Sequence, residues 1–385
     1  MYDFLDSSRP TPHQRGRRAN SLSMTQTPAH PTPATPAFIP RPIITIGSGG
    51  IVRDAHLPAY RKAGFPVAAT IDPDLTKAQS LAADFDIPRS FATIPEALAE
   101  IDASHVIWDL AIPARFVPAV LPQLPDGSAV LIQKPIGETL AEAIAIANLC
   151  REKNLTAAAN FSLRWAPVMV RARQLYEEGK IGTLHQMQVD VLTYTPWHLW
   201  QFMVGIPRLE ILYHSIHYID FVRSWLGNPK RVLAKTTRNP LSGSLAATRS
   251  NIILDYGETM QVVINTQHTH AFEETQRSQV LWEGTEGALE AVMGLNLDYP
   301  KGKPDRLRYA KRNEDGKSDG WSVIPTEGEW FPDAFIGSMT SLQSFLSGTT
   351  TELPTRISDA LDTMRTVEAA YISSEQDGQP LPEIA

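Results

Sequence analysis

The feature that most constrains this chain is an abrupt change of character near residue 47. Ile43-Ile44-Thr45-Ile46 is a short apolar run, as a strand buried on both faces requires. Gly47-Ser48-Gly49-Gly50 stops it, and residues 56–63 then have helical spacing. Gly47 permits a tight turn, and Gly49 lets the backbone approach a ligand closely. The helix that follows offers N–H groups with no intrahelical acceptor. Such a corner suits a pyrophosphate. The third position of the dinucleotide fingerprint, counted from Gly47, falls on Val52, which predicts a slightly displaced helix rather than loss of the site. By itself the pattern also fits a plain strand, turn and helix.

The context around the loop is richer. Strands are predicted over Val67–Ile71, 105–108, 129–132 and Thr156–Asn160, alternating with helices over Leu75–Phe85, 116–121 and 138–153. This rhythm predicts a doubly wound parallel sheet, a Rossmann domain over residues 43–162. Beyond Trp165 the rhythm changes. Helices over 168–178 and 209–226 accompany alternating strand-like runs over 184–194, Arg231–Thr237, 250–255, 260–266 and 279–283. The expected architecture for 163–385 is therefore α/β with a large, mostly antiparallel open sheet, closed by a helix over 357–374. One face of such a sheet is costly to leave wet. It is expected to cover the active site or to join subunits as a homodimer or homotetramer.

Composition narrows the classes of function. The 385 residues are 43% hydrophobic and 20% charged, ordinary for a globular chain. The net charge of -7 argues against a nucleic-acid surface. Cys150 is the only cysteine, which excludes an internal disulfide framework and a cysteine zinc cluster. No run approaches the roughly 18 apolar residues of a membrane span. Arg17-Arg18 invites comparison with an export signal, but Thr, Pro and Ala follow instead of an apolar segment, so a cytoplasmic protein is expected. Residues 1–42, proline-rich from Thr27 to Pro42, are expected to form a disordered tail, with Met24 an alternative start.

Asp72 closes the second strand 25 residues after Gly47. A carboxylate there accepts hydrogen bonds from ribose hydroxyls and repels a 2′-phosphate, so NAD is expected over NADP. The alternative is a turn or cap before Pro73. Gln133-Lys134-Pro135 ends another strand at the same sheet edge, where Lys134 can hydrogen-bond a substrate hydroxyl and favour its ionisation. On the predicted helix over 209–226, Tyr213 and His217 are i,i+4 neighbours, and Glu210, His214 and His217 share a face. A histidine is the natural base for a hydroxyl proton. Histidines buried for packing are one alternative. A metal site of Glu210, His214 and His217 is another, disfavoured because no HExxH pattern occurs.

Taken together, these pieces resemble the Gfo/Idh/MocA oxidoreductases. The likeness runs through Gly47-Ser48-Gly49-Gly50-Ile51, His56-Leu57-Pro58-Ala59-Tyr60, Ile112-Pro113, Gln133-Lys134-Pro135, Asn160 with Arg164-Trp165, Gly179-Lys180-Ile181-Gly182 and Ser215-Ile216-His217-Tyr218-Ile219-Asp220. The resemblance implies an NAD(P)-dependent dehydrogenase acting on a secondary hydroxyl or carbonyl of a sugar, inositol or related polyol. Gly47, Gly49, Gly50, Ile51, Asp72, Pro113 and Lys134 would hold the cofactor. Lys134 and His217 match the family's lysine and histidine. Gln133 replaces its usual Glu, and Tyr213 stands where an Asp is expected.

His214 or Glu210 is expected to take over part of the missing carboxylate's role, or Tyr213 to contact substrate. Arg164, Trp197, Trp200, Glu210 and His217 are the expected substrate residues, the tryptophans by stacking on sugar faces. His268 and His270 alternate on a likely strand and are candidates to line the open sheet. Two other functions stay open: NAD-dependent glycoside cleavage through transient oxidation and elimination, and a non-catalytic nucleotide-binding regulator.

Overall fold

The computed structural model describes residues 38–376 together with Gly378 and Leu381. Most of the expected tail over 1–42, with Arg17, Arg18 and Met24, lies outside the described residues.

The first sheet comprises β1 (Ile43–Ile46), β2 (Val67–Ile71), β3 (Ser90–Phe91), β4 (Ile107–Leu110), β5 (Ala129–Gln133) and β6 (Thr156–Asn160). All neighbours are parallel, in the order β3-β2-β1-β4-β5-β6. This is the doubly wound order, and the direction of winding reverses between β1 and β4. Every residue of β1 and β4 is buried, as expected where helices cover both faces.

Helices α1 (Leu57–Ala63), α2 (Leu75–Phe85), α3 (Ile94–Glu100), α4 (Val117–Val120) and α5 (Leu140–Glu152) connect the strands. Thr93 and Glu96 form a reciprocal capping box on α3, and the Thr139 hydroxyl accepts from the Glu142 amide to start α5. Two predicted elements shift for local reasons. Residues 103–105 make a 3₁₀ turn capped by Asp102, so the strand expected over 105–108 begins at Ile107. Pro118 and Pro122 lack amide donors, and the helix expected over 116–121 breaks into short turns around α4.

The second sheet has eight strands: β7 (Leu184–Leu192), β8 (Arg231–Thr237), β9 (Arg249–Asp255), β10 (Gln261–Gln267), β11 (Arg277–Gly284), β12 (Gly287–Val292), β13 (Arg306–Lys311) and β14 (Ser322–Ile324). Their order is β14-β13-β12-β11-β7-β10-β9-β8, antiparallel except for β7 beside β10. Strict alternation of burial along β10 and β11 puts Val262, Ile264, Val280 and Trp282 on one face. The helices α6 (Pro167–Glu177), α7 (Ile216–Leu226) and α9 (Ile357–Glu375) belong to the same apolar core as that face. The other face leaves Leu233, Ile253 and Val323 about half exposed or more.

The remaining helix, α8 (Asp333–Leu346), crosses back. Its Phe335, Met339 and Leu342 share an apolar cluster with Ile43, Tyr60 and Leu131 of the first sheet's layers. Thus residues assigned by sequence order to the second half complete the core of the first. Among the described residues, no helix is long and apolar enough to cross a membrane.

Candidate active site

The carboxyl ends of the parallel strands bring four of the candidate segments to one edge. Gly47 follows β1 with φ +103°, and a Cβ there would lie 2.5 Å from the carbonyl oxygen of Ala111, after β4. No other residue fits that contact. At Gly49 an added Cβ would meet nothing within 4 Å, so the protein's own packing does not require glycine. That open approach, beside helix-starting amides, fits a pyrophosphate. Asp72 accepts from the Ser48 amide at 2.8 Å and from the Asp74 amide at 2.9 Å, which ties the second strand end to the glycine loop. Val52 is fully buried and opens a π-turn, Val52–His56. The helix at the glycine loop is therefore widened just where the fingerprint's small residue is replaced.

A second π-turn, Ile211–Ser215, precedes α7 and carries Tyr213 and His214. π-turns displace side chains from regular helical spacing and recur at functional sites. Lys134 reaches across from β5, and its Nζ donates to the Tyr213 carbonyl oxygen at 2.7 Å. Burial pushes the Lys134 ammonium down to about 7. His214 and His217 are both held well below the ordinary imidazole range. Burial is the main cause for each. His268, Lys134 and His217 act further on His214, and Lys134 then His268 on His217. Both imidazoles are therefore neutral acceptors at neutral pH, and His217 Nδ1 has no hydrogen-bond partner among the described residues. The His217 ring meets Trp330 edge-on at 5.5 Å.

The carboxylate expected beside His217 lies elsewhere. Glu210 accepts from the Ser215 hydroxyl at 2.7 Å, and its Oε1 is 3.6 Å from His268 Nε2. Burial raises its carboxyl, but His268, Ser250 and Ser215 outweigh this and hold it below its usual value. His268 in turn stacks on His214 at 4.3 Å between centroids. The Glu210 carboxylate therefore acts on His268 and, through it, on His214. Tyr213 points its hydroxyl at Glu138 Oε1, 3.2 Å away, and burial followed by that carboxylate raises the phenol's pKa.

Several expectations need correction. Arg164 is buried, with its guanidinium on both oxygens of Asp220 at 2.6 and 2.7 Å, on Asp359 at 2.6 Å and on the Pro354 carbonyl. Those bonds tie α7 to the start of α9 and commit the guanidinium to protein acceptors. Glu210 is likewise enclosed, 1% exposed, and meets protein groups rather than an open pocket. His268 is buried on the helix side of the sheet, not on its open face.

Trp197 packs its ring 4.9 Å from His214 and donates its indole N–H to the His268 carbonyl. Trp200 lies 5.1 Å from Tyr299. Trp197 thus flanks the histidine cluster, whereas the shown ring partner of Trp200 is Tyr299. Pro113 sits between β4 and the turn Ala114–Phe116, at the same edge as Gly47.

Sequence reasoning missed the groups beneath Lys134. His56 is fully buried, with Nδ1 2.7 Å from Asp109 Oδ2, which also accepts from the Tyr60 hydroxyl at 2.8 Å. Gln133 Nε2 lies 3.1 Å from His56 Nε2, while Gln133 Oε1 accepts from the Lys134 amide at 2.8 Å. The sequence offered His56 four residues before Tyr60 and Gln133 in place of a Glu, but not the link between them. The partners of His56 come from distant strands. Among the described residues no group of three His, Cys, Asp or Glu side chains is placed to hold a metal ion.

A doubly wound sheet with this glycine corner, and a lysine beside neutral histidines, define an NAD(P)-binding dehydrogenase. Comparison with known proteins agrees. The oxidoreductase family with NAD-binding Rossmann fold matches residues 42–161, and the GFO/IDH/MocA C-terminal domain matches 169–290. The chain belongs to the GFO/IDH/MocA oxidoreductase family. It is 25% identical to D-xylose 1-dehydrogenase (NADP(+)) 2 of Haloferax volcanii, over 86% of this chain and 96% of that one. It is 26% identical to D-apiose dehydrogenase of Paraburkholderia graminis, covering 86% and 87%. An oxidoreductase from Agrobacterium radiobacter, solved with NAD+, L-tartaric acid and magnesium, has the same fold. Its TM-score is 0.72 at 18% identity, over 87% of this chain and 96% of that chain.

Proposed function

We propose that the protein transfers a hydride between NAD and a secondary hydroxyl or carbonyl of a sugar, inositol or related polyol. The observation that carries this reading is the approach of Lys134, from the nucleotide-binding sheet, to the segment that bears His214 and His217. The bound nicotinamide supplies the hydride acceptor or donor. In the oxidation direction the neutral His217 imidazole takes the hydroxyl proton, and the Lys134 ammonium hydrogen-bonds the oxygen as negative charge develops on it. Tyr213 orders this corner through its carbonyl. Trp197 and Trp200 offer ring faces to the apolar side of a sugar. His214, backed by His268 and Glu210, supports the site from behind.

Gly47, Gly49, Gly50, Ile51, Asp72, Pro113 and Lys134 form the cofactor side in this reading. Asp72 supports NAD over NADP, because a carboxylate at the end of the second strand repels a 2′-phosphate. The names of the two sugar dehydrogenases support a carbohydrate-like substrate. The exposed apolar residues of the open sheet support a homodimer or homotetramer, and dependence on the dinucleotide pool supports a cytoplasmic site of action.

The test is a panel of sugars, sugar acids and inositols, each with NAD and with NADP, followed by reduced-cofactor absorbance. Sustained reduction of NAD with a neutral sugar or polyol is expected. A flat response across the panel overturns the reading, and product formation without net reduction would point to oxidation–elimination.

A further inference from the structure

We propose that Asp109 and His56 are positioning residues for Lys134, acting through a buried relay of fixed polarity that ends on the Lys134 backbone amide. The inference rests on the reading of Lys134 as the group that meets the reacting oxygen.

The relay begins at Asp109, on β4, which is fully buried. A carboxylate only accepts, so the hydrogen at His56 Nδ1 points toward it, as does the Tyr60 hydroxyl. His56 Nε2 is then an acceptor. It receives the Gln133 amide at 3.1 Å and the Asn160 amide at 3.4 Å. With its NH₂ committed there, Gln133 turns its carbonyl oxygen to the Lys134 N–H at 2.8 Å. Each donor meets an acceptor along the whole path, from a charge on β4 to the first residue beyond β5. The Phe335 ring, 4.8 Å from His56, seals the path on the α8 side.

This polarity accounts for Gln133. A carboxylate at that position would face the lone pair of His56 Nε2, acceptor to acceptor. The amide alone satisfies both ends.

The polarity can be released deliberately. In Asp109→Leu the fixed acceptor for Nδ1–H is lost, and the Tyr60 hydroxyl, 3.5 Å from His56 Nδ1, can donate to that nitrogen as well as accept from it. The ring proton is then no longer held on Nδ1, and whenever it sits on Nε2 it meets the Gln133 NH₂ donor to donor, which loosens the Gln133 hold on the Lys134 amide. Adding Gln133→Glu restores a match, because the carboxylate accepts from both His56 Nε2–H and the Lys134 amide.

The experiment measures hydrogen exchange of the Lys134 amide in the full-length wild type, Asp109→Leu and Asp109→Leu/Gln133→Glu, with the β6 amides as internal reference. Exchange is expected to rise about tenfold or more in the single variant and to return within about threefold of wild type in the double. On the best substrate of the panel, kcat should follow the same order. A single variant that exchanges like wild type overturns the proposal. So does a double variant that exchanges like the single one or fails to fold, whereas a double that folds when the single does not supports it. Exchange needs no turnover, so it decides the relay even if Lys134→Ala retains activity and the catalytic reading fails.

Discussion

The ammonium of Lys134 donates to the backbone carbonyl of Tyr213 at 2.7 Å, joining the first residue beyond a parallel strand to the turn that precedes the histidine helix. Because the partner is a carbonyl, this link does not depend on the Tyr213 side chain, which faces Glu138. The site's central contact therefore tolerates a tyrosine where an aspartate was expected.

Lys134 titrates near 7, so it is partly deprotonated at neutral pH. If its ammonium stabilises the reacting oxygen, kcat/KM should fall as pH rises through about 7, approaching tenfold per unit. Lys134→Arg keeps the charge and should remove this limb, with turnover lowered about tenfold or more by altered geometry. A limb that persists in the arginine variant would assign it to another group. Stability follows the opposite course. A lysine titrates near 10.4 in the unfolded chain, which therefore holds the extra proton between about 7 and 10. This group's destabilisation is greatest below pH 7 and fades toward pH 10. Lys134→Met should raise the urea midpoint at pH 6 and leave it nearly unchanged at pH 10.

His217→Ala should lower turnover by about 10²- to 10⁴-fold while the NADH dissociation constant changes less than about twofold. Fluorescence titration alongside steady-state kinetics separates the two. Retained turnover would remove His217 from proton transfer.

The two glycines of the loop should respond differently. Gly47→Ala drives a methyl group against the Ala111 carbonyl at a positive φ, so thermal stability should drop sharply. Gly49→Ala meets no protein atom. It should leave the melting temperature within a degree or two and weaken NADH binding about tenfold or more, since only a ligand feels the methyl.

Arg164→Met leaves Asp220 as a buried carboxylate without its bidentate partner. The expected loss is about 3–5 kcal/mol in urea unfolding, with KM little changed in the folded fraction. A large rise in KM at unchanged stability would return Arg164 to the substrate.

Asp72→Ser removes the negative charge at the end of β2. Affinity for NADPH relative to NADH should rise about tenfold or more, as measured by fluorescence titration of both cofactors. An unchanged ratio would assign cofactor choice to another residue.

What the sequence revealed follows from range. Ile43 to Asp72 was legible because a strand, a turn and a carboxylate act through their local order, and β1, β2 and α2 lie over the expected residues. The antiparallel half was legible where alternation was clear, as in β8. β3 has only two residues, and β12 to β14 carry charged, turn-interrupted stretches whose pairing is set by β11, so the edge of the second sheet was not legible. α8 was missed because its apolar face is interrupted by serines that become buried only against the other half, such as Ser338 and Ser341.

The site divides the same way. Lys134 and His217 stood out as residue types at element ends. Arg164 was misread because Asp220 and Asp359 lie far along the chain, and nothing local shows that its charge is already matched. The Asp109, His56 and Gln133 contacts span 53 and 77 positions, beyond any periodicity argument.

The return of α8 to the first sheet has a consequence for synthesis. Phe335 and Met339 complete the core around His56 and Tyr60, so the nucleotide-binding half lacks part of its cover until α8 has left the ribosome. At about 5–20 residues per second, that leaves Tyr60 waiting on the order of ten seconds or more for its final neighbours. For this enzyme, completion of the core beside the cofactor corner waits on α8, although its glycine loop is made long before that helix.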